Sequence, residues 1–231
     1  MLMVNFSAFA QSSPLESQQI ANAAGSNYTP NDNVMRTFDN RVKDVLGSPY
    51  LLGDWQPGTV ISVNGSIFRD LMLRYDLVED KILMAKNEGG EVSLPRNEIA
   101  EFSIIDDQTS YRFLAIQDPN EEEESLVFCQ VLEEGNMQLM IQRRKYYVPG
   151  SGMVAFGNME RPEYKFYPDR YFIRKSSTGE TLKTRRTNGK VYEFMAPYSA
   201  EVKEVSKANG WFVTDPASLL KMVKLYNRLA G

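Results

Sequence analysis

The chain has 231 residues, of which 26 are Lys or Arg and 30 are Asp or Glu, so its formal net charge is −4. It contains no His and a single Cys, Cys129, which excludes a Ser-His-Asp triad, a Cys-His dyad, a His-ligated zinc and an intrachain disulfide. Catalysis would have to use carboxylates, Lys, Tyr or Ser alone, and any metal would be a hard, oxygen-ligated ion such as calcium.

The first ten residues predict a signal peptide. Residues 1–10 are apolar and end in Ala8-Phe9-Ala10, directly before the polar Gln11. Small residues in an A-x-A arrangement after a short apolar run are typical of a cleavage site. No Lys or Arg precedes the run, so the true start codon could lie upstream. We therefore expect export to the periplasm or the exterior, with the mature chain starting at Gln11.

A bilayer-spanning helix needs about 20 apolar residues. Ten do not suffice, and no later stretch of the sequence approaches that length. The sequence therefore predicts a soluble mature protein that does not span the membrane.

Residues 11–45 are polar and predict a flexible lead-in. Residues 46–148 then change to short apolar runs separated by turn residues, such as Asn64-Gly65, a hairpin signal. The run 67–77 alternates apolar and polar residues. Eight such runs in series predict an antiparallel β-meander, closed as a barrel or folded as a sandwich. Cys129 lies in one of these runs, which indicates a buried thiol rather than a reactive one.

Glycines and prolines interrupt residues 149–168, which predicts a connector without regular structure. Residues 169–231 then predict a β-hairpin and three helices. The expected helix starts are Asn188, Ser199 and the pair Asp215-Pro216, and Gly210 is the expected end of the second helix. The whole chain is therefore predicted to be α+β and mainly β, with a β-meander followed by a small hairpin-plus-helices unit.

Part of the sequence resembles a group of uncharacterised exported proteins of Bacteroidota. The resemblance covers most of the chain beyond about residue 45 and implies the same export and the same strand-then-helix layout. No activity is known for that group, so it carries no functional residue to this chain. The residues that carry it are Gly47-Ser48-Pro49-Tyr50-Leu51, Gly58-Thr59-Val60, Leu73-Arg74-Tyr75-Asp76-Leu77, Asp80, Ile82 and the ending Leu219-Leu220-Lys221-Met222-Val223-Lys224-Leu225-Tyr226-Asn227.

Charge is divided between the two halves of the chain. Residues 1–134 have a net charge of −13 and residues 135–231 a net charge of +9. Opposite charge on two tethered units favours docking, so we expect the acidic and basic halves to contact each other.

The basic half contains the candidate binding residues of the sequence. Arg143, Lys145, Arg185 and Arg186 are candidates for binding a polyanion, because Arg and Lys pair with phosphate or sulfate and neighbouring tyrosines could stack. Neighbouring residues of a strand point in opposite directions, however, so the run around Arg143 cannot form one continuous patch. The alternative is that these cations are solvated or face the acidic half. We expect no nucleic-acid partner.

Two further motifs are weak. The run 150–155 fits the dinucleotide pattern G-x-G-x-x-A, but Gly157 and Pro162 prevent the helix that the motif requires. The acidic segment 118–124 lacks the ligand spacing and the central glycine of a calcium loop, which favours a solvated turn. No cofactor, metal site or catalytic residue is predicted.

The sequence leaves the function open between classes. The favoured hypothesis is a non-enzymatic cell-envelope module that binds or holds an envelope protein or a glycan. The alternative is a glycan hydrolase acting through two carboxylates, which the 30 acidic residues neither support nor exclude. A small-ligand carrier would need a hollow barrel. An enzyme should show a cleft with clustered acids, and a binding module an exposed apolar or basic patch.

Overall fold

A computed structural model describes residues 45–119, 126–150, 161–184 and 188–231. The predicted signal peptide and, except for residue 45, the predicted lead-in lie outside these ranges, as do Arg185 and Arg186. The described strands are β1 (Gln56–Ser62), β2 (Ile67–Asp76), β3 (Lys81–Ala85), β4 (Glu91–Ser93), β5 (Ile99–Asp106), β6 (Thr109–Gln117), β7 (Leu126–Glu133), β8 (Met137–Gln142), β9 (Lys145–Val148), β10 (Glu163–Phe166), β11 (Arg170–Lys175) and β12 (Thr181–Lys183). The described α-helices are α1 (Asn188–Phe194), α2 (Ser199–Asn209) and α3 (Pro216–Ala230).

Ten strands form one sheet, in the order β12-β11-β8-β7-β6-β5-β1-β2-β3-β4. All of its pairings are antiparallel. Strands that follow each other in sequence are mostly neighbours, but β1 lies between β5 and β2. The predicted mainly-β α+β class with an antiparallel sheet is confirmed. The sheet stays open between its edge strands β12 and β4, so it does not form the barrel that the sequence left possible.

The segment predicted as an unstructured connector contains a strand. Strand β10 pairs with β9 to form a separate two-stranded ribbon. Residues 137–148, the last apolar run of the predicted meander, are divided at Arg143 and Arg144 into β8 and β9, which leaves β9 free to pair with β10. The C-terminal hairpin joins the large sheet through six residue pairs between β11 and β8. Pairing satisfies the backbone groups that an exposed edge of β8 would otherwise leave to solvent.

Four aromatic rings at the centre of the sheet show how strongly it curls. Phe102 and Phe113 stack with ring centroids 4.5 Å apart, and Phe128 meets Phe102 edge to face at 5.1 Å. The ring of Tyr75 lies 6.1 Å from that of Phe128, although β2 and β7 are four strand spacings apart, about 19 Å in a flat sheet. The sheet is therefore wrapped around its own aromatic core.

The helices pack against the other end of the sheet. Met137 and Leu139 of β8 and Ile173 of β11 are fully or almost fully buried under apolar residues of all three helices. Helix α3 begins as predicted, since the carboxylate of Asp215 accepts a hydrogen bond from the Ser218 backbone N–H at 2.9 Å and Pro216 is its first residue.

Helix α2 confirms one predicted boundary and corrects the other. It ends at Gly210, which has a left-handed φ of 66° as the predicted C-cap requires. Ser199 is the first helical residue rather than the cap, and the cap position is occupied by Tyr198 without a side-chain hydrogen bond.

The predicted contact between the acidic and basic halves is confirmed. The Asp118 carboxylate, which is fully buried, lies 2.7 Å from the Lys183 ammonium and 3.7 Å from the Arg170 guanidinium. The Lys224 ammonium on α3 lies 3.6 Å from the Glu133 carboxylate. Asp118, predicted to begin a solvated turn, is instead the buried anion of this contact, because the hairpin β11–β12 brings two cations to the end of β6.

The side-chain amide of Asn227 helps to hold α3 against the turn between β7 and β8. Asn227 Oδ1 accepts from the backbone N–H of Met137 at 2.8 Å, and Nδ2 donates to the carbonyls of Glu134 and Met137. Gly135 has a φ of 139°, and a Cβ there would lie 2.5 Å from Asn227 Nδ2. The turn therefore requires a glycine at the point where the amide approaches.

We expect Asn227→Ala to lower the free energy of unfolding by about 2 kcal/mol, because the buried backbone N–H of Met137 would lose its acceptor. Urea unfolding measures the change, with Arg228→Ala, at the adjacent exposed position of α3, as the control. A loss of less than about 0.5 kcal/mol, the range of ordinary surface substitutions, would contradict this role for the amide.

Candidate functional site

Lys145, one of the predicted polyanion-binding residues, has a structural role. Its side chain is buried, and the ammonium donates to the carbonyls of Ser48 at 2.8 Å and Tyr50 at 2.6 Å. It also lies 4.7 Å from the ring centroid of Phe166. Burial lowers the pKa of the Lys145 ammonium, against an opposing effect of the Asp76 carboxylate. Lys145 thus attaches the segment before β1 to the ribbon.

Of the other predicted basic residues, the structure describes only Arg143. Arg143 is partly buried, and its guanidinium donates to the Gln130 side-chain oxygen. Arg185 and Arg186 lie outside the described residues. Binding of a polyanion by these four residues therefore stays a prediction.

We expect Lys145→Met to lower the free energy of unfolding by about 1–3 kcal/mol, because two inward-facing carbonyls would lose a charged donor. Lys165→Met is the matched control, since Lys165 is exposed on β10, the strand that pairs with β9. Chemical denaturation of both variants tests the assignment. Equal stability of the two variants would contradict the structural role of Lys145 and would support a role at the surface.

A second polar cluster, formed by Tyr75, Asp80 and Arg96, links the turn between β2 and β3 to the start of β7. The hydroxyl of Tyr75 donates to the Asp80 carboxylate, and Arg96 forms an ion pair with that carboxylate at 3.3 Å. Arg96 also donates to the carbonyl of Leu126 at the start of β7, at 2.9 Å. Asp80 itself has a left-handed φ of 52°, a conformation that costs energy in a residue with a side chain.

Burial dominates the electrostatics of this cluster. It raises the pKa of the Asp80 carboxyl, although the hydrogen bond from Tyr75 and the charge of Arg96 lower it. Burial likewise raises the pKa of the Tyr75 hydroxyl, and the nearby Asp80 raises it further. Because Tyr75 is packed among the core rings, the cluster is positioned to hold the curled sheet together.

The raised pKa of the Asp80 carboxyl predicts how the free energy of unfolding changes with pH. A carboxyl whose pKa is higher in the folded state contributes stability that is fully present below the unfolded pKa, near 3.8, and is lost as pH rises through the folded pKa. We therefore expect the unfolding free energy of the wild type, relative to Asp80→Asn, to fall as pH is raised from about 4 to 7.

Urea titrations at several pH values measure this difference. Asp107→Asn is the control for Asp80→Asn, because Asp107 lies in an exposed turn and its φ of 51° is close to that of Asp80. A difference between wild type and Asp80→Asn that increases with pH would show that the ionised carboxylate is the favoured form.

A surface cleft lies on the helical unit, between α1 and α2. We call it the helical cleft. Its volume is about 570 Å³, within the usual range for small-molecule sites. Its lining residues are Gly189, Tyr192 and Glu193 from α1, Ser199, Lys203, Ser206 and Lys207 from α2, and Gly210, Trp211 and Phe212 from the segment that follows.

The local sequence explains the aromatic residues of the cleft. Gly210 ends α2 in the left-handed conformation, so the chain turns sharply and places Trp211 and Phe212 beside the helix they follow. Phe212 is 60% exposed, whereas Tyr192 and Ser206 are buried. The cleft therefore combines a buried floor with a large apolar ring that solvent reaches.

The cleft also carries charge. Lys203 and Lys207 are four residues apart on α2, which places them on one face of that helix. Glu193 is the single carboxylate among the lining residues. The Lys221 ammonium of α3 lies 5.9 Å from the ring centroid of Trp211. Cations and aromatic faces therefore occupy the same small region.

Sequence reasoning missed this site. The helix-ending Gly210 was recognised, but the two aromatic residues after it were not connected with the lysines of α2. The available signal was an aromatic pair directly after a helix-ending glycine, a position at which large apolar residues need not be buried.

Comparisons with known proteins add no functional information. The chain matches no family model, no curated protein and no solved structure. Among the described residues, no three Cys, Asp or Glu side chains are grouped so that they could hold a metal ion. None of the described helices is long and apolar enough to cross a membrane.

Proposed function

We propose that this protein is a non-enzymatic cell-envelope module that binds its ligand in the helical cleft. The observation that carries the proposal is the exposed ring of Phe212 beside Trp211, Lys203 and Lys207. Exposed apolar surface bordered by polar side chains is typical of an interaction site, and aromatic residues supply much of the binding energy at such sites.

The charges of the cleft favour binding over hydrolysis. A glycosidase of the common kind places two carboxyl groups roughly 5 to 10 Å apart across the scissile bond. The helical cleft presents Glu193 alone. The carboxyl with a raised pKa, Asp80, lies in the core network with Tyr75 and Arg96. No specific observation therefore favours the carboxylate hydrolase as a second candidate.

The curled sheet also gives no support to a carrier of small ligands. Such a carrier encloses its ligand inside a hollow barrel. Here the concave side is occupied by stacked and edge-to-face rings, of which Phe102 and Phe128 are almost fully buried. A binding site on the outer surface of the helical unit fits this packing better than an internal one.

The assignment to the envelope rests on the predicted signal peptide, and it suggests the material for a binding test. The chain starting at Gln11 would be mixed with purified peptidoglycan sacculi and with total envelope from a Gram-negative bacterium. We expect it to sediment with one of these fractions. Phe212→Ser should weaken sedimentation about tenfold, because an anchoring aromatic residue is worth more than 1 kcal/mol.

Ile105→Ser is the matched control for this substitution. Ile105 is also an exposed large apolar residue, 42% accessible, but it lies on β5 in the sheet. Its variant should sediment like the wild type. Equal sedimentation of the Phe212 variant and the wild type would contradict binding through the helical cleft.

A further inference from the structure

We infer that the ligand of the helical cleft is an acidic glycan, an inference that rests on the proposed function. The first observation is the imbalance of charge. The lining residues of the cleft include two lysines, Lys203 and Lys207, and a single carboxylate, Glu193. Lys221 lies beside Trp211, and its charge acts on the Asp215 carboxylate. The lining side chains, two ammonium groups and one carboxylate, are therefore positive on balance in a protein whose net charge is −4.

The two lysines of α2 are available to a ligand. Both are exposed, and neither forms an ion pair with a described residue. Other lysines of the same half are already paired, as Lys175 is with Glu180 at 2.9 Å and Lys183 with Asp118 at 2.7 Å. Two unpaired ammonium groups one helical turn apart are suited to a ligand with carboxylate, sulfate or phosphate groups.

The aromatic residues favour a sugar as the remainder of the ligand. The face of an aromatic ring carries negative partial charge and attracts weakly positive groups, such as the C–H bonds on one side of a pyranose ring. Phe212 is 60% exposed and has no polar atom on its side chain. Ser199 and the charged side chains of the cleft can exchange hydrogen bonds with hydroxyl groups.

An acidic peptide fits the cleft less well. Its backbone N–H and C=O groups would need partners, as they find at the edge of a sheet. The walls here are helices, whose interior backbone groups already bond to each other. The end of α2 offers little more, because the N–H groups of Gly210 and Trp211 donate to the carbonyls of Lys207 and Ser206.

Helix α2 forms one wall of the cleft and sets the length of that wall. Helix α2 has 11 residues, so it is about 16 Å long at 1.5 Å per residue. Lys207 lies in its last turn, where it offsets the negative partial charge of the helix C-terminus. An anionic group can therefore approach this end of the helix.

The test uses two probes with the same sugar backbone, of which one carries charged carboxylates and the other neutral methyl esters. The chain from Gln11 is titrated with galacturonic acid trimer and with the fully methyl-esterified trimer, and binding is measured by calorimetry. We expect the acid to bind and the ester to bind at least tenfold more weakly. Lys203→Gln with Lys207→Gln should weaken binding of the acid about tenfold, and higher salt should weaken it too.

Lys81→Gln is the control for this double variant, since it removes an exposed lysine from β3, the strand next to the far edge of the sheet. Heparin tetrasaccharide and a peptide of alternating Asp and Glu complete the probe set. Binding of heparin in place of the galacturonate, with the same dependence on the two lysines, would support a sulfated rather than a carboxylated glycan.

Three results would overturn the inference. They are equal binding of acid and ester, tighter binding of the peptide than of either glycan, and no binding of any acidic saccharide at millimolar concentration. Each is separable from failure of the proposed function, which is decided by the effect of Phe212→Ser on envelope sedimentation. If that effect is present and any of the three results is obtained, the cleft binds a ligand of a different class.

Discussion

The packing of Tyr75 against the rings of β5, β6 and β7 is the interaction on which the rest of the structure depends. It joins strands four spacings apart and so sets the curl of the sheet. Its hydroxyl is anchored by Asp80, and Asp80 is held by Arg96. The aromatic contacts stabilise the curled sheet through a large apolar contact area. The buried polar cluster adds directional hydrogen bonds, which favour one orientation of the Tyr75 ring.

The curl determines where a ligand can bind. Among the described strands, aromatic rings pack on the concave side of the sheet, where a carrier would hold its ligand. The helices cover the β8–β11 end of the sheet, held there by apolar packing and by the amide of Asn227. The buried pairing of Asp118 with Lys183 ties the hairpin to β6. The sheet therefore supports the helical unit, on which the exposed ring of Phe212 and the exposed lysines of α2 lie.

Local signals in the sequence were reliable where local chemistry decides the conformation. Asp215-Pro216 starts a helix and Gly210 ends one because capping and a left-handed φ involve only neighbouring residues. The Asn64-Gly65 turn lies between β1 and β2, with Gly65 at a φ of 84°. The strand β10 could not be foreseen in the same way, because it forms only where β9 offers it an edge.

By itself, the sequence determined the mainly-β class, the antiparallel sheet, the three C-terminal helices and a contact between its oppositely charged halves. These follow from periodicity, turn residues and net charge. Only the tertiary structure decided that the sheet stays open, that Lys145 faces the interior, and that Phe212 lies beside the lysines of α2. The reason is physical, since closure, burial and the meeting of side chains depend on contacts between segments distant in sequence.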